Sequence, residues 1–417
     1  MKPIAILIAL ETPGRRDFEQ EIRETEALAE ACDIIIAQTM TQKARSLASP
    51  TYVKSGKLEE LVSAISAQNA ELVLFNDELS GSQIRNLEER LPCTILDRTQ
   101  LILRIFEKRA KTREAKLQVQ VAELTYQLPR SNTRHNSLAG HQQGGGTRTR
   151  GSGESQIELE RRVLKTRIQD LQEELRIMEI QRQTQRKQRL KMDLPNIALV
   201  GYTNAGKSTL MNAFIKKLNE KESKFALTKD MLFATLDTAS RGMNLPNGKS
   251  IVLTDTVGFV SRLPHGLIKA FRSTLEEINE ADILIHVIDA SHPDALKQAE
   301  ITRDTIKEIG ASAIQVINVY NKTDVSCLDV PIDGLRISAK FNTGMDELIE
   351  EIQHRLSLNE IQVQLFIPFE NQSVLMKIRS EFRILSTTET ETGTLVQVSG
   401  SPNKLAAYRV FYRLVGQ

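Results

Sequence analysis

Apolar positions along the chain change their period three times. Through residues 1–97, short apolar runs (Ile4–Ala9, Ile34–Gln38, Leu72–Phe75 and Thr94–Leu96) alternate with amphipathic stretches at 17–31, 57–68 and 81–90. Strand-sized runs separated by helix-sized ones predict a parallel α/β sheet, because parallel neighbours need a crossover long enough to hold a helix. From about Thr99 the period lengthens. Leu117, Val121, Leu124 and Leu128 step by 4, 3 and 4 until Pro129 stops the run. Leu164, Ile168, Leu171, Leu175 and Met178 then step by 4, 3, 4 and 3, an a/d seam. Two such helices joined by a loop predict an antiparallel hairpin, its second member (155–190) about 54 Å long at ~1.5 Å per residue. After Asp193-Leu-Pro an α/β pattern returns, with strands at Ile197–Val200, Ser250–Thr254, Ile283–Ile288 and Ile314–Val319 and a helix near 343–357. Strand-like Val363–Ile367 and Leu395–Val398 flank a helical stretch at 371–380. The expected division is an α/β unit (1–98), a helical hairpin (99–192), a second α/β unit (193–358) and a small α+β unit (359–417).

The hairpin is interrupted at 130–154 by Gly140, Gly144, Gly145, Gly146, Gly151 and Gly153 among Ser, Thr, Asn, Gln, Arg and His. Such a segment has almost nothing to bury and is expected to stay mobile in the free protein. Charge sharpens this picture. Residues 98–150 carry 11 Lys/Arg against 3 Glu and residues 176–191 carry 6 against 1, although the whole chain is only +2. That excludes a uniformly cationic nucleic-acid packager and concentrates basic charge on the hairpin and its loop. Three widely spaced cysteines (Cys32, Cys93, Cys327) exclude a disulfide scaffold or a cysteine-rich zinc site. The apolar start runs into Glu11, Arg15, Arg16 and Asp17, which reads as a first strand rather than a leader. No run approaches the ~20 apolar residues of a membrane span. The expectation is a cytoplasmic protein with no transmembrane segment.

The second α/β unit carries the chemistry. Its first strand enters Gly201-Tyr202-Thr203-Asn204-Ala205-Gly206-Lys207-Ser208, followed by Thr209, a G-x4-G-K-S phosphate loop at a strand-to-helix junction. The glycines let backbone N–H groups wrap a polyphosphate at a helix N-terminus. Lys207 supplies a point charge to the β/γ-phosphates, and Ser208 a hydroxyl for Mg²⁺. The strand at 250–254 ends in Asp255-Thr256-Val257-Gly258, where Asp255 can hold Mg²⁺ through water and Gly258 can offer its N–H to the γ-phosphate. Between them lies Phe233-Ala234-Thr235. Thr235 can reach Mg²⁺ only when the γ-phosphate draws the loop inward, which makes a switch; Thr238 competes for that role. Lys207, Thr235 and Gly258 are the residues expected to act on the transferred phosphate.

Base identity comes from Asn321-Lys322-Thr323-Asp324. Asp324 can accept from both N1–H and the N2 amine of guanine, a donor pair adenine lacks, and a partner left unpaired supports discrimination of roughly 10⁴–10⁵. Ser338-Ala339-Lys340 can complete the base pocket through the Ala339 N–H. The set in this order predicts a site for GTP/GDP with Mg²⁺. The hydrolytic part is thinner: a water-orienting Gln is expected after the switch-two glycine, and Phe259 and Val260 stand there instead. Slow intrinsic turnover, accelerated by a partner that orders the switches, is expected. Asp237 and Arg241 compete for positioning water.

Beyond these motifs the chain resembles the HflX family of translational GTPases. The resemblance rests on Pro50-Thr-Tyr-Val-Lys-Ser-Gly-Lys57, on Phe75-Asn-Asp77-Glu78-Leu79-Ser80 and on Asp97-Arg98-Thr99 in the first unit. It continues through Arg109-Ala-Lys-Thr-Arg113, Leu128-Pro129-Arg130, Gly144-Gly-Gly146-Thr-Arg-Thr-Arg150-Gly151-Ser-Gly153-Glu154 and Ile367-Pro368-Phe369. It implies a GTPase that binds the large (50S) ribosomal subunit and the 70S ribosome, 23S rRNA included, and couples GTP to ribosome dissociation or rescue under stress. The alternative is an anti-association or subunit-assembly factor. The glycine-rich arm is implied to reach rRNA, with Arg130, Arg134, Arg148 and Arg150 as the contacts. A monomer is expected, with peripheral membrane association left open. Thr147-Arg148, Ser152 and Thr238 depart from the family pattern. A tRNA-modification GTPase would need a C-terminal catalytic cysteine, whereas the last cysteine here is Cys327.

Overall fold

The computed structural model describes residues 2–15, 17–46, 49–130, 150–192, 194–218, 239–260, 278–325, 333–358, 360–400 and 405–411. The first sheet has the order β2-β1-β3-β4, built from β1 (Ile4–Glu11), β2 (Ile35–Lys43), β3 (Leu72–Phe75) and β4 (Thr94–Asp97), all parallel. Six consecutive buried residues in β1 explain its unbroken apolar run, since both faces are covered. Ala5, Leu7 and Ala9 pack with helix α1 (Phe18–Ala31), while Ile6, Ile8 and Leu10 pack with α2 (Ser55–Gln68) and α3 (Gly81–Glu88).

The helical run beginning near Thr99 is two helices rather than one. α4 (Arg98–Arg109) ends where Ala110 turns extended, and Thr112 caps the next helix by accepting from the Ala115 N–H at 3.1 Å. α4 lays Leu101, Ile102, Leu103, Ile105 and Phe106 into the first sheet's core. Only α5 (Arg113–Gln127) joins the hairpin with α6 (Arg150–Met192), through Leu117, Val121 and Leu171, with Leu124, Leu175 and Met178 alongside. Arg113 pairs with Glu174 at 2.8 Å across that seam. α6 has 43 residues, about 65 Å at ~1.5 Å per residue, and α5 covers only part of it.

The second sheet runs β10-β9-β8-β5-β7-β6. β5 (Asn196–Gly201), β7 (Ser250–Asp255), β8 (Ile283–Asp289), β9 (Gln315–Asn321) and β10 (Leu335–Arg336) are parallel, and β6 (Ala239–Asn244) is an antiparallel edge strand. Helices α7 (Lys207–Leu218), α8 (Ala295–Glu308) and α9 (Met345–Leu358) complete this doubly wound unit. The last sheet, β11-β13-β12, is antiparallel, formed by β11 (Ile361–Pro368), β12 (Arg383–Glu389) and β13 (Gly393–Gly400) with α10 (Gln372–Glu381) against it. The mixed α/β class, parallel sheets and hairpin follow the pattern in the sequence. β6 and β12 were not anticipated there: both are edge strands, and β12 is almost wholly exposed, so neither needs the apolar alternation that marks a buried strand.

Candidate functional site

β5 delivers its phosphate loop at the C-terminal edge of the second sheet, beside the end of β7. Side chains are impossible at two loop positions. Gly201 takes φ +153 and a Cβ there would strike the Val287 carbonyl; Gly206 takes φ +94 and its Cβ would strike the Asn321 amide. Both glycines are therefore demanded by close backbone approach. Lys207 opens α7 and folds back over the loop, donating to the carbonyls of Gly201 at 3.0 Å and Tyr202 at 2.9 Å. Burial drives its ammonium down to about 8, partly opposed by the Asp255 carboxylate. Ser208 donates to Asp255 Oδ2 at 2.7 Å. A hydroxyl and a fully buried carboxylate thus meet beside the lysine, a hard oxygen pair of the kind Mg²⁺ accepts.

The segment after β7 closes over the loop. Gly258 lies so near Thr203 that a Cβ would sit 2.7 Å from its Cα. Thr203 N–H donates to the Phe259 carbonyl at 2.7 Å, and Phe259 N–H returns to Gly201 O at 3.1 Å. Thr256 is fully buried and turns its hydroxyl inward to the Leu199 carbonyl. Phe259 is buried among Ala198, Val200 and Leu284, whereas Val257 and Val260 enter the core of the first sheet with Phe18 and Ile22. Neither side chain following Gly258 carries a group that can hydrogen-bond a water.

At the end of β9, Asn321 braces the site. Its Nδ2 donates to the Ala205 carbonyl and its Oδ1 accepts from the Ala339 N–H, each at 3.0 Å. Ser338 Oγ donates to Asp324 Oδ1 at 2.6 Å, which orients an otherwise exposed carboxylate. Lys322, at φ +65, pairs with Asp289 at 2.8 Å, while the Ser291 N–H and hydroxyl hold the other Asp289 oxygen. Lys340 and Asn204 are exposed.

The structure thus gathers residues 201–209, 255–258, 321–324 and 338–340 around one strand edge. Phe233, Ala234, Thr235, Asp237 and Thr238 lie outside the described residues, and Arg241 sits on the outer strand β6. Arg134 and Arg148 also lie outside them, and Arg150 begins α6. Arg130, expected at an RNA surface, is engaged internally: it stacks 3.3 Å over the Tyr126 ring and donates to the carbonyls of Tyr126 and Leu79, each at 2.6 Å. Two partners of the site were missed in the sequence. Asp289 does leave a local trace, an Asp with Ser two residues on after an apolar strand. The other is Glu24 on α1, which accepts a hydrogen bond from the Tyr202 hydroxyl across 178 positions of chain, and no local pattern marks it.

Three family descriptions match in succession: GTP-binding GTPase N-terminal over residues 19–107, GTP-binding GTPase Middle Region over 109–189 and 50S ribosome-binding GTPase over 196–322. The chain is 40% identical over 400 residues to GTPase HflX of Caldanaerobacter subterraneus subsp. tengcongensis, covering 95% of this chain and 90% of that protein. It is 36% identical over 396 residues to GTPase HflX of Escherichia coli K12, covering 93% and 90%. Among solved structures, a GTP-binding protein from Sulfolobus solfataricus in complex with GDP aligns over 85% of this chain and 98% of its own, at 23% identity and a TM-score of 0.44.

Proposed function

The chain belongs to the HflX family of GTPases, and on that premise we propose that it binds the 50S subunit and the 70S ribosome and couples GTP binding and hydrolysis to ribosome dissociation or rescue. The observation that carries the reading is α6, which continues far past its 15-residue partner α5 and begins at the basic, glycine-rich segment. A long helix preceded in sequence by a cationic, glycine-rich segment, and paired with an α5 that packs on the first sheet, suits insertion into an rRNA cavity, where arginines neutralise phosphates and glycines permit close approach. Arg134, Arg148 and Arg150 are the contacts proposed; Arg130 anchors the root. The match of residues 196–322 to a 50S ribosome-binding GTPase description supports the same partner.

GTP is held by the phosphate loop, with Asp324 accepting from the guanine edge and the Ala339 N–H donating to its carbonyl. Lys207 exchanges two loop carbonyls for the β/γ-phosphates. Ser208, Thr235 and Asp255, the last through water, would hold Mg²⁺, which when bound neutralises charge developing on the phosphates. Gly258 offers its N–H to the γ-phosphate. Phe259 and Val260, turned into apolar cores, offer no hydrogen-bonding group to position water, which makes intrinsic hydrolysis slow. A ribosome that orders the switch segments raises it. The protein works in the cytoplasm, as a monomer; among the described residues no helix is long and apolar enough to cross a membrane.

GTP turnover with and without 50S and 70S particles tests the coupling: strong acceleration is expected, and unchanged turnover with active ribosomes refutes it. Sucrose gradients of preformed 70S with a non-hydrolysable GTP analogue test separation. Loss of the 70S peak supports it, and blocked reassociation alone reassigns the protein to anti-association.

A further inference from the structure

We propose that Glu24 is a positioning residue of the nucleotide site, supplied by the first sheet's α1, and that through Arg98 and Asp97 it couples the root of the helical arm to the phosphate loop. This rests on the reading above, in which the arm meets the ribosome while the pocket turns over GTP.

The near end of the relay is Tyr202. Its hydroxyl donates to Glu24 Oε1, and its own carbonyl is one of the two that hold Lys207. Where Glu24 holds the Tyr202 ring therefore sets where the Lys207 ammonium rests. Glu24 is itself fixed, because its other oxygen meets Arg98 Nη2 at 2.9 Å with both side chains under a tenth exposed. Arg98 also donates to Thr25 on α1 at 3.0 Å, so α1 and the start of α4 move as one piece.

The far end is Asp97, the neighbour of Arg98 and the N-cap of α4. Its carboxylate is fully buried and accepts from the Gln100 and Leu79 N–H groups, each at 2.9 Å, and from the Tyr126 hydroxyl at 2.5 Å. Tyr126 lies in the last turn of α5, and Arg130 stacks on its ring and reaches Asp97 at 3.5 Å. The end of α5, where the chain enters the glycine-rich segment, is thus latched to the residue next to Arg98. In a dry interior such charge-assisted bonds are stiff, so displacement at Tyr126 is passed along rather than absorbed by water. Val257 and Val260 share a core with Phe18 and Ile22 of α1, which gives the same helix a grip on the segment beside Gly258.

A simple interdomain adhesive would show the same contacts but would change stability alone. A positioning relay must change how tightly the loop holds nucleotide. The test follows mant-GDP release by stopped flow from the full chain, without ribosomes, for Glu24→Gln, Tyr126→Phe and the double variant, with melting temperatures alongside. Each single variant is expected to release about three- to tenfold faster, and the double variant no faster than the quicker single one, as members of one coupled network behave. Unchanged release from Tyr126→Phe, or effects that multiply in the double variant, overturns the proposal. Should Glu24→Gln fail to fold, Tyr202→Phe, which removes only the hydroxyl, replaces it in the same cycle. Wild-type turnover with 50S particles, measured in parallel, fails or succeeds independently and so judges the ribosome reading on its own.

Discussion

The side-chain amide of Asn321 occupies the space where a Cβ of Gly206 would lie, so the end of β9, proposed to read the base, and the phosphate loop are built directly against each other. Gly206→Ala would force that collision at a φ of +94, where a left-handed non-glycine residue alone costs about 1–3 kcal/mol. Affinity for mant-GDP in a fluorescence titration is expected to fall at least about tenfold, the equivalent of ~1.4 kcal/mol. Unchanged affinity would show that the brace yields without consequence.

Lys207 gives a pH signature. Burial holds its ammonium down to about 8, and phosphate oxygens favour the charged form. Binding GDP therefore takes up a proton above pH 8 and none well below it. Affinity should be flat from pH 6 to 7.5 and weaken as pH rises through 8 to 9.5, measured by mant-GDP titration in buffers of matched ionic strength. Lys207→Arg, which stays protonated, should flatten that decline.

The Asp289–Lys322 pair predicts a positional effect. Ser291 clamps one Asp289 oxygen from two directions and leaves the other for Lys322, which the backbone already holds in the left-handed region. Asp289→Ala frees the lysine stem beside the guanine site. Calorimetric GDP affinity is expected to fall about three- to tenfold with little change in melting temperature, a range typical of contacting pairs. A large loss of stability with intact affinity would make the pair structural instead.

His286 lies on the face of β8 beneath α8, with Nδ1 against Asn318 Oδ1 at 3.2 Å. Burial pushes its imidazole down to about 4 from 6.5, with the Asn318 contact opposing. The unfolded chain therefore takes up a proton near pH 6.5 that the folded chain refuses until about pH 4. The stability contributed above pH 6.5 is lost progressively as pH falls toward 4, on the order of 3 kcal/mol in all. Urea unfolding at pH 7.5, 6 and 5 should show this decline, and His286→Gln should reduce it.

Much of the fold is legible in the sequence because its signals are local. β1 and β3 read as strands from unbroken apolar runs, and the 4-3-4-3 spacing of Leu164 to Met178 marks the long helix. The phosphate loop is legible for the same reason, since eight consecutive residues hold the glycines and the lysine. The break between α4 and α5 is harder to read, because Ala110 and Lys111 carry no helix-stopping chemistry and only the Thr112 cap betrays it. Arg130 looks like a surface cation beside Pro129, yet the ring of Tyr126 one helical turn back gives its guanidinium a seat. Glu24 is invisible for a different reason: its meaning depends on a tyrosine 178 residues later, and only the packing of two sheets brings them together.

Phe259 and Val260 are consecutive, yet one is rooted in the hydrophobic interior of the nucleotide-binding half and the other in that of the first sheet. The peptide bond between them therefore joins the two bodies directly after Gly258, alongside Val257 in the same first-sheet core and the Tyr202–Glu24 contact. Heating cannot loosen one body without exposing an apolar residue of the other, so the pair should melt in one calorimetric peak rather than two.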